Sequence, residues 1–116
     1  METVGFYVKP AGTKATLKLT PNMQVVTYVV FVRQWNAGVA TPVATWFPAD
    51  LEAGMSITLV QSDGYEFLLK AQITGNPDIA AIDARFSLDE TTKAETLALP
   101  AEEGIVVERK WTVIIN

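Results

Sequence analysis

At 116 residues, with 9 basic side chains against 13 acidic ones and a net charge of −4, the chain has the length of one domain and a charge unsuited to phosphate backbones or anionic lipid. Cysteine and histidine are both absent, which excludes disulfides, thiolate nucleophiles, Cys/His zinc centres and the Ser-His-Asp and Cys-His catalytic arrangements. Apolar residues reach 49% while charged ones reach only 19%, a globular composition short of the charges that keep a surface soluble and solitary.

The opening Met1-Glu2 has neither the basic nor the apolar region of a secretory signal. The longest near-continuous apolar run, Val25 to Val32, falls far short of the roughly 20 residues a membrane helix needs. The expectation is one soluble domain over 1–116, with no compartment assigned.

In chain order, Thr3 to Lys9 is a short strand with Val4, Phe6 and Val8 in phase, ended by the turn Pro10-Ala11-Gly12-Thr13. Lys14 to Thr20 alternates cleanly. Ala15, Leu17 and Leu19 face in, and the lysines facing out would also guard an edge. After Pro21-Asn22 comes the longest two-faced apolar stretch, Met23 to Trp35: Met23, Val25, Val29, Phe31 and Trp35 on one side, Val26, Tyr28, Val30 and Val32 on the other. A strand apolar on both faces needs cover on both faces, so this segment is expected to be the one the others assemble around.

Asn36-Ala37-Gly38 reads as a hairpin that lays Val39 to Phe47 antiparallel to it, with Pro42 making that second strand an edge, a bulge or a switch between sheets. Phe47 to Gly54 reads as a loop. Met55 to Gln61 follows as a strand, then the turn Ser62-Asp63-Gly64, then Tyr65 to Thr74 with Tyr65, Phe67, Leu69, Ala71 and Ile73 in phase. Gly75-Asn76-Pro77-Asp78 breaks the chain. Residues 79–88 are ambiguous, since Ile79, Ile82 and Phe86 fit a helical face, but the alternation from Ile82 to Asp89 favours a strand. Asp89 to Glu95 reads as a polar hairpin loop, Thr96 to Leu99 as a short strand ended by Pro100, and Ile105 to Ile115 as the last strand, its apolar face broken by Arg109.

The fold class is therefore all-β: an antiparallel β-sandwich of about eight strands with an immunoglobulin-like or related Greek-key or jelly-roll topology. The phrase from Val39 to Leu59, two apolar strands bridged by a Pro-containing loop ending in Leu51-Glu52-Ala53-Gly54, resembles that of bacterial adhesion-type repeats. The resemblance implies a fold and no activity.

An enzyme built from these residues would have to use paired carboxylates, a lysine or a hydroxyl. The candidate acids are Asp50 with Glu52, Asp63 with Glu66, Asp78 with Asp83, Asp89 with Glu90 and Glu102 with Glu103; all lie at or beside turns, where solvated acids are ordinary. There is no EF-hand loop, GxGxxG or P-loop. No catalytic residue, metal ligand or cofactor is assigned. Trp111 reads as core, whereas Trp35 and Trp46, bracketing the hairpin near strand ends, could equally form an aromatic platform, with Gln34, Asn36 and Asp50 supplying hydrogen bonds. Arg33 and Arg109 each interrupt an apolar face, so each is expected to reach water, meet a carboxylate such as Glu108 or Glu66, or cross a subunit interface.

Two functions follow as expectations. The leading one is a non-catalytic structural or interaction module acting through self-association, as a homo-oligomer, or through a protein partner. The alternative is a carbohydrate-binding module. The residues expected at the partner or ligand site are Arg33, Trp35, Asn36, Trp46 and Asp50.

Overall fold

The computed structural model describes residues 2–21, 26–75, 80–100, 102 and 104–116. Among the described residues, nine strands and one short helix follow the chain as β1 (Glu2–Lys9), β2 (Lys14–Pro21), β3 (Val26–Asn36), β4 (Val39–Trp46), α1 (Pro48–Ala53), β5 (Met55–Thr58), β6 (Gly64–Ile73), β7 (Ala80–Leu88), β8 (Thr91–Leu99) and β9 (Val106–Ile115). They form two sheets, one ordered β1-β9-β6-β3-β4 and the other β5-β2-β7-β8. The core lies between them, sandwich-fashion. Among the described residues no helix is long and apolar enough to cross a membrane.

The larger sheet is mixed rather than antiparallel throughout, because β1 runs parallel to β9. Those two strands come from opposite ends of the chain, so no hairpin dictates their direction. The segment expected at the centre is also displaced. Its described part, β3, is second from the edge, and β6 holds the middle; Met23 and Val25 lie outside the described residues. β3 does face the core with Tyr28, Val30 and Val32, while Val29 and Phe31 stay half-buried on the outer face. β6 is buried on both faces from Gly64 to Leu69, because long side chains from its neighbours lie over its outer positions. Cover of that kind comes from other strands and leaves no mark on the strand's own periodicity.

The β3–β4 hairpin forms as expected. Asn36 pairs with Val39, and Ala37 and Gly38 both take positive φ (49° and 79°), the two-residue turn whose twist matches the strands it joins. Pro42 lies on an edge strand, opposite a register shift between Val32 and Arg33, where its missing N–H costs the ladder nothing. β2 buries Ala15, Leu17 and Leu19 completely. It is an interior strand, though, with β5 covering it only from Lys14 to Leu17.

Two loop expectations, 47–54 and 89–95, are corrected, and two other readings are made definite. The 47–54 loop contains α1, with Pro48 at its start, Gly54 (φ 99°) at its end and Leu51 driven into the core. The turn at Ser62-Asp63-Gly64 carries the chain from the smaller sheet to the larger one. Residues 80–88 are a strand, as their alternation favours; Ile79 lies outside the described residues. The 89–95 hairpin loop shrinks to a turn at Asp89-Glu90, with Asp89 at φ 54°, and the polar residues after it belong to β8. A strand at an open edge can be polar without penalty, so its sequence reads as loop.

Phe86 is the hub of the interior. Its ring lies 5.2 Å from Phe67, 5.6 Å from Tyr7 and 5.9 Å from Trp111, and Trp46 adds a further ring 5.8 Å from Phe67. These contacts tie β1, β4, β6, β7 and β9 into one aromatic cluster.

Candidate functional site

The outer face of the five-stranded sheet carries the densest polar arrangement among the described residues. β3 and β6 pair so that Arg33 lies opposite Glu66 and Trp35 opposite Gly64; β9, on the other flank of β6, sets Lys110 opposite Leu68. Three side chains thereby converge on one carboxylate. Arg33 Nη2 donates to Glu66 Oε1 at 2.9 Å, Trp35 Nε1 donates to the same oxygen at 2.8 Å, and Lys110 Nζ donates to Oε2 at 3.2 Å. Glu66 is only 8% exposed.

Burial pushes the Glu66 carboxyl up, but the hydrogen bond from Trp35, the hydrogen bond and charge of Lys110 and the charge of Arg33 together outweigh it. The net result is a carboxyl held below its ordinary range. An acid so thoroughly paired is a weak base at neutral pH. It works as a fastener, drawing an indole, a guanidinium and an ammonium down onto the sheet. Arg33 Nε is buried without a hydrogen-bond partner, so the guanidinium is held through its terminal nitrogen alone. At the rim, Lys70 approaches Glu108 at 3.6 Å and lies 5.8 Å from the centre of the Phe31 ring.

Beside this cluster the face turns apolar. Val8, Ile114, Gly64 and Trp35 occupy one cross-strand row, and Phe6 sits in the next row opposite Thr112. Phe6 is 64% exposed, Val8 53% and Ile114 37%. Gly64 leaves a notch between Ile114 and Trp35, and a Cβ there would lie 2.5 Å from the Val113 carbonyl oxygen, closer than any side chain tolerates. The expectation that Val4, Phe6 and Val8 share a face fails for a local reason. A bulge between Thr3 and Gly5 turns Val4 inward onto the core with Tyr7, while Phe6 and Val8 turn out.

Of the residues expected at a site, the structure brings together Arg33 and Trp35, both on Glu66. Asn36 follows on the same strand but is exposed at the hairpin, its amide donating to Gln34 Oε1 at 3.3 Å. Trp46 is 4% exposed and packs against Phe67; it points through the sheet to the side opposite Trp35, so the two rings make no common platform. Asp50 serves α1, its carboxylate accepting the Phe47 amide at 3.4 Å. Arg109 meets Glu2 at 3.5 Å and donates to the Glu108 carbonyl, not to that residue's carboxylate.

Asp63 works in the backbone as well, accepting the Ala37 amide at 2.7 Å and so pinning the hairpin tip to the start of β6. Among the described residues no three acidic side chains gather as metal ligands would; Asp78 and Glu103 lie outside them. Lys110, Phe6, Val8 and Ile114 are not among the residues expected at a site, since their placement there depends on register between strands far apart in the chain.

The fold and this face together define a class, a two-sheet β-sandwich whose outer face joins an ion-locked centre to an apolar corner. No family model matches the chain, and no match is found among curated proteins or solved structures.

Proposed function

We propose that this chain is a non-catalytic structural or interaction module that works through self-association or by binding another protein. The observation that supports this reading is the apolar corner: Phe6, Val8 and Ile114 stand exposed in adjacent register positions on a rigid sheet, where an isolated soluble domain would ordinarily show scattered apolar residues rather than a cluster. The neighbouring Glu66 lock favours binding over chemistry, because it holds its donors still and leaves its own oxygens occupied. The carbohydrate-binding alternative lacks its two-ring platform, with Trp46 in the core and the Trp35 indole N–H committed to Glu66. An immunoglobulin-like or Greek-key topology is the finer fold reading that accompanies the proposal, on the strength of chain length and of strands that repeatedly cross between sheets.

Sedimentation velocity and binding of an apolar-surface dye, compared between the wild type and a Phe6→Ser/Val8→Thr variant, test the reading. The variant should lose dye binding and associate more weakly, with its melting temperature little changed. A wild type that stays monomeric at millimolar concentration, with dye binding unaltered in the variant, overturns it.

A further inference from the structure

Two open sheets leave four edges, and three of them are closed by recognisable devices. β5 is only four residues long, β4 carries Pro42 beside a register shift, and β1 bulges between Thr3 and Gly5. The remaining edge, β8, is unlike them. It runs nine residues in unbroken register with β7, from Ala80 opposite Leu99 to Leu88 opposite Thr91, and contains neither proline nor glycine.

The hairpin at Asp89-Glu90 fixes which backbone groups that edge presents. A two-residue turn makes the flanking pair, Leu88 and Thr91, a hydrogen-bonded one. By alternation, Thr92, Ala94, Thr96 and Ala98 turn their N–H and C=O groups away from β7, toward open space. Side chains alternate with the opposite consequence. Lys93 and Glu95 lie opposite Phe86 and Ala84, in phase with the buried Leu97 and Leu99, so both charges stand on the core-facing side of an edge strand. Charges in that position bar an arriving apolar strand, which would have to bury them unpaired.

This barrier has a symmetry that exempts one partner. Thr92-Lys93-Ala94-Glu95-Thr96 is a palindrome apart from the sign of its charges. A second β8 running antiparallel about a two-fold axis at Ala94 sets Thr92 against the partner's Thr96 and Lys93 against the partner's Glu95, twice over. The Ala94 pair and the two threonine pairs are then the hydrogen-bonded ones. The lysine and glutamate fall in the non-bonded pairs, where opposing side chains approach most closely. We propose that β8 is a self-association edge through which two copies of this chain join antiparallel about Ala94, merging their four-stranded sheets into one continuous sheet. The proposal rests on the self-association reading above and adds to its apolar corner a second surface, on the other sheet.

Charge reversal tests it. Lys93→Glu alone and Glu95→Lys alone each place like charges opposite one another across the two-fold, and should weaken dimerisation about tenfold or more. The double variant K93E/E95K should restore it, and an equimolar mixture of the two single variants should form a heterodimer that neither forms with itself. Thermal melts of all three check folding, and the side-chain hydrogen bonds of Thr92 with Ser87 and of Thr96 with Asp83 are retained. A wild-type dimer that persists in both single variants, yet dissociates in Phe6→Ser/Val8→Thr, overturns the β8 assignment and leaves self-association standing. A wild type monomeric at millimolar concentration overturns the assignment outright, while the dye comparison decides the broader reading separately.

Discussion

The two faces of β6 solve the same burial problem in different ways. Inward, Phe67 enters the aromatic cluster with Phe86 and Trp46, where a second sheet supplies the cover. Outward, one residue earlier, Glu66 has no sheet above it and is nearly as buried, because Trp35, Arg33 and Lys110 fold across it. Packing against a layer buries apolar surface without directional demands. A single layer roofed by its own side chains needs a charged centre to hold the roof down, and that makes it the more fragile of the two arrangements to acid and salt.

Removing the inward anchor should do the most harm. Phe67→Ala opens a cavity beside the Trp46 and Phe86 rings and should lower stability by about 4 kcal/mol, read by denaturant unfolding. A loss under about 1 kcal/mol would mean the aromatic cluster is not the centre of the core.

The outward face should yield less, and in a pH-dependent way. Glu66→Gln keeps the shape but leaves Arg33 and Lys110 without a counter-charge, which should cost about 1–2 kcal/mol at neutral pH given that both cations keep some solvent. The folded carboxyl titrates below its unfolded value, so its contribution is complete above about pH 4.3 and is lost as the pH falls through the folded pKa. Melting temperatures of wild type and variant should therefore converge on acidification. Parallel curves down to the acid limit would contradict the role given to Glu66.

The smallest effect belongs to an ion pair at the margin of this sheet. Glu2 is largely exposed where it meets Arg109, and Glu2→Gln should change stability by no more than about 0.5 kcal/mol. A larger loss would show that β1 is held to β9 by charge as well as by its ladder.

Much of this architecture was legible before any coordinate. Lys14 to Thr20 announces its buried side by alternation alone, and Asn36-Ala37-Gly38 announces its turn because few residues tolerate positive φ. The same logic fails where the cause is not local. Phe47 to Gly54 looks like a loop since its single buried residue, Leu51, gives no period to read. β8 looks like one too, since an edge strand carries no demand for apolar alternation. At the candidate site, Arg33 stands out as a break in an apolar face and Trp35 as an aromatic near a strand end, and Glu66 is one of two carboxylates Arg33 could meet. Choosing between them required knowing that β3 lies beside β6 and in which register.

By itself, then, the sequence determined the class of fold, the hairpin and its turn, the inward residues of β2 and β6, and the absence of cysteine and histidine chemistry, because each is written in residue identity or in a period of two along one strand. The tertiary structure alone decided that β6 and not β3 sits at the centre, that Trp46 turns to the core while Trp35 lies on Glu66, that Phe6 and Val8 face outward beyond a bulge, and that β8 is a regular open edge. Each of these depends on which distant strands lie side by side and in what register, and pairing across the chain is settled by the packing of the whole rather than by any segment of it.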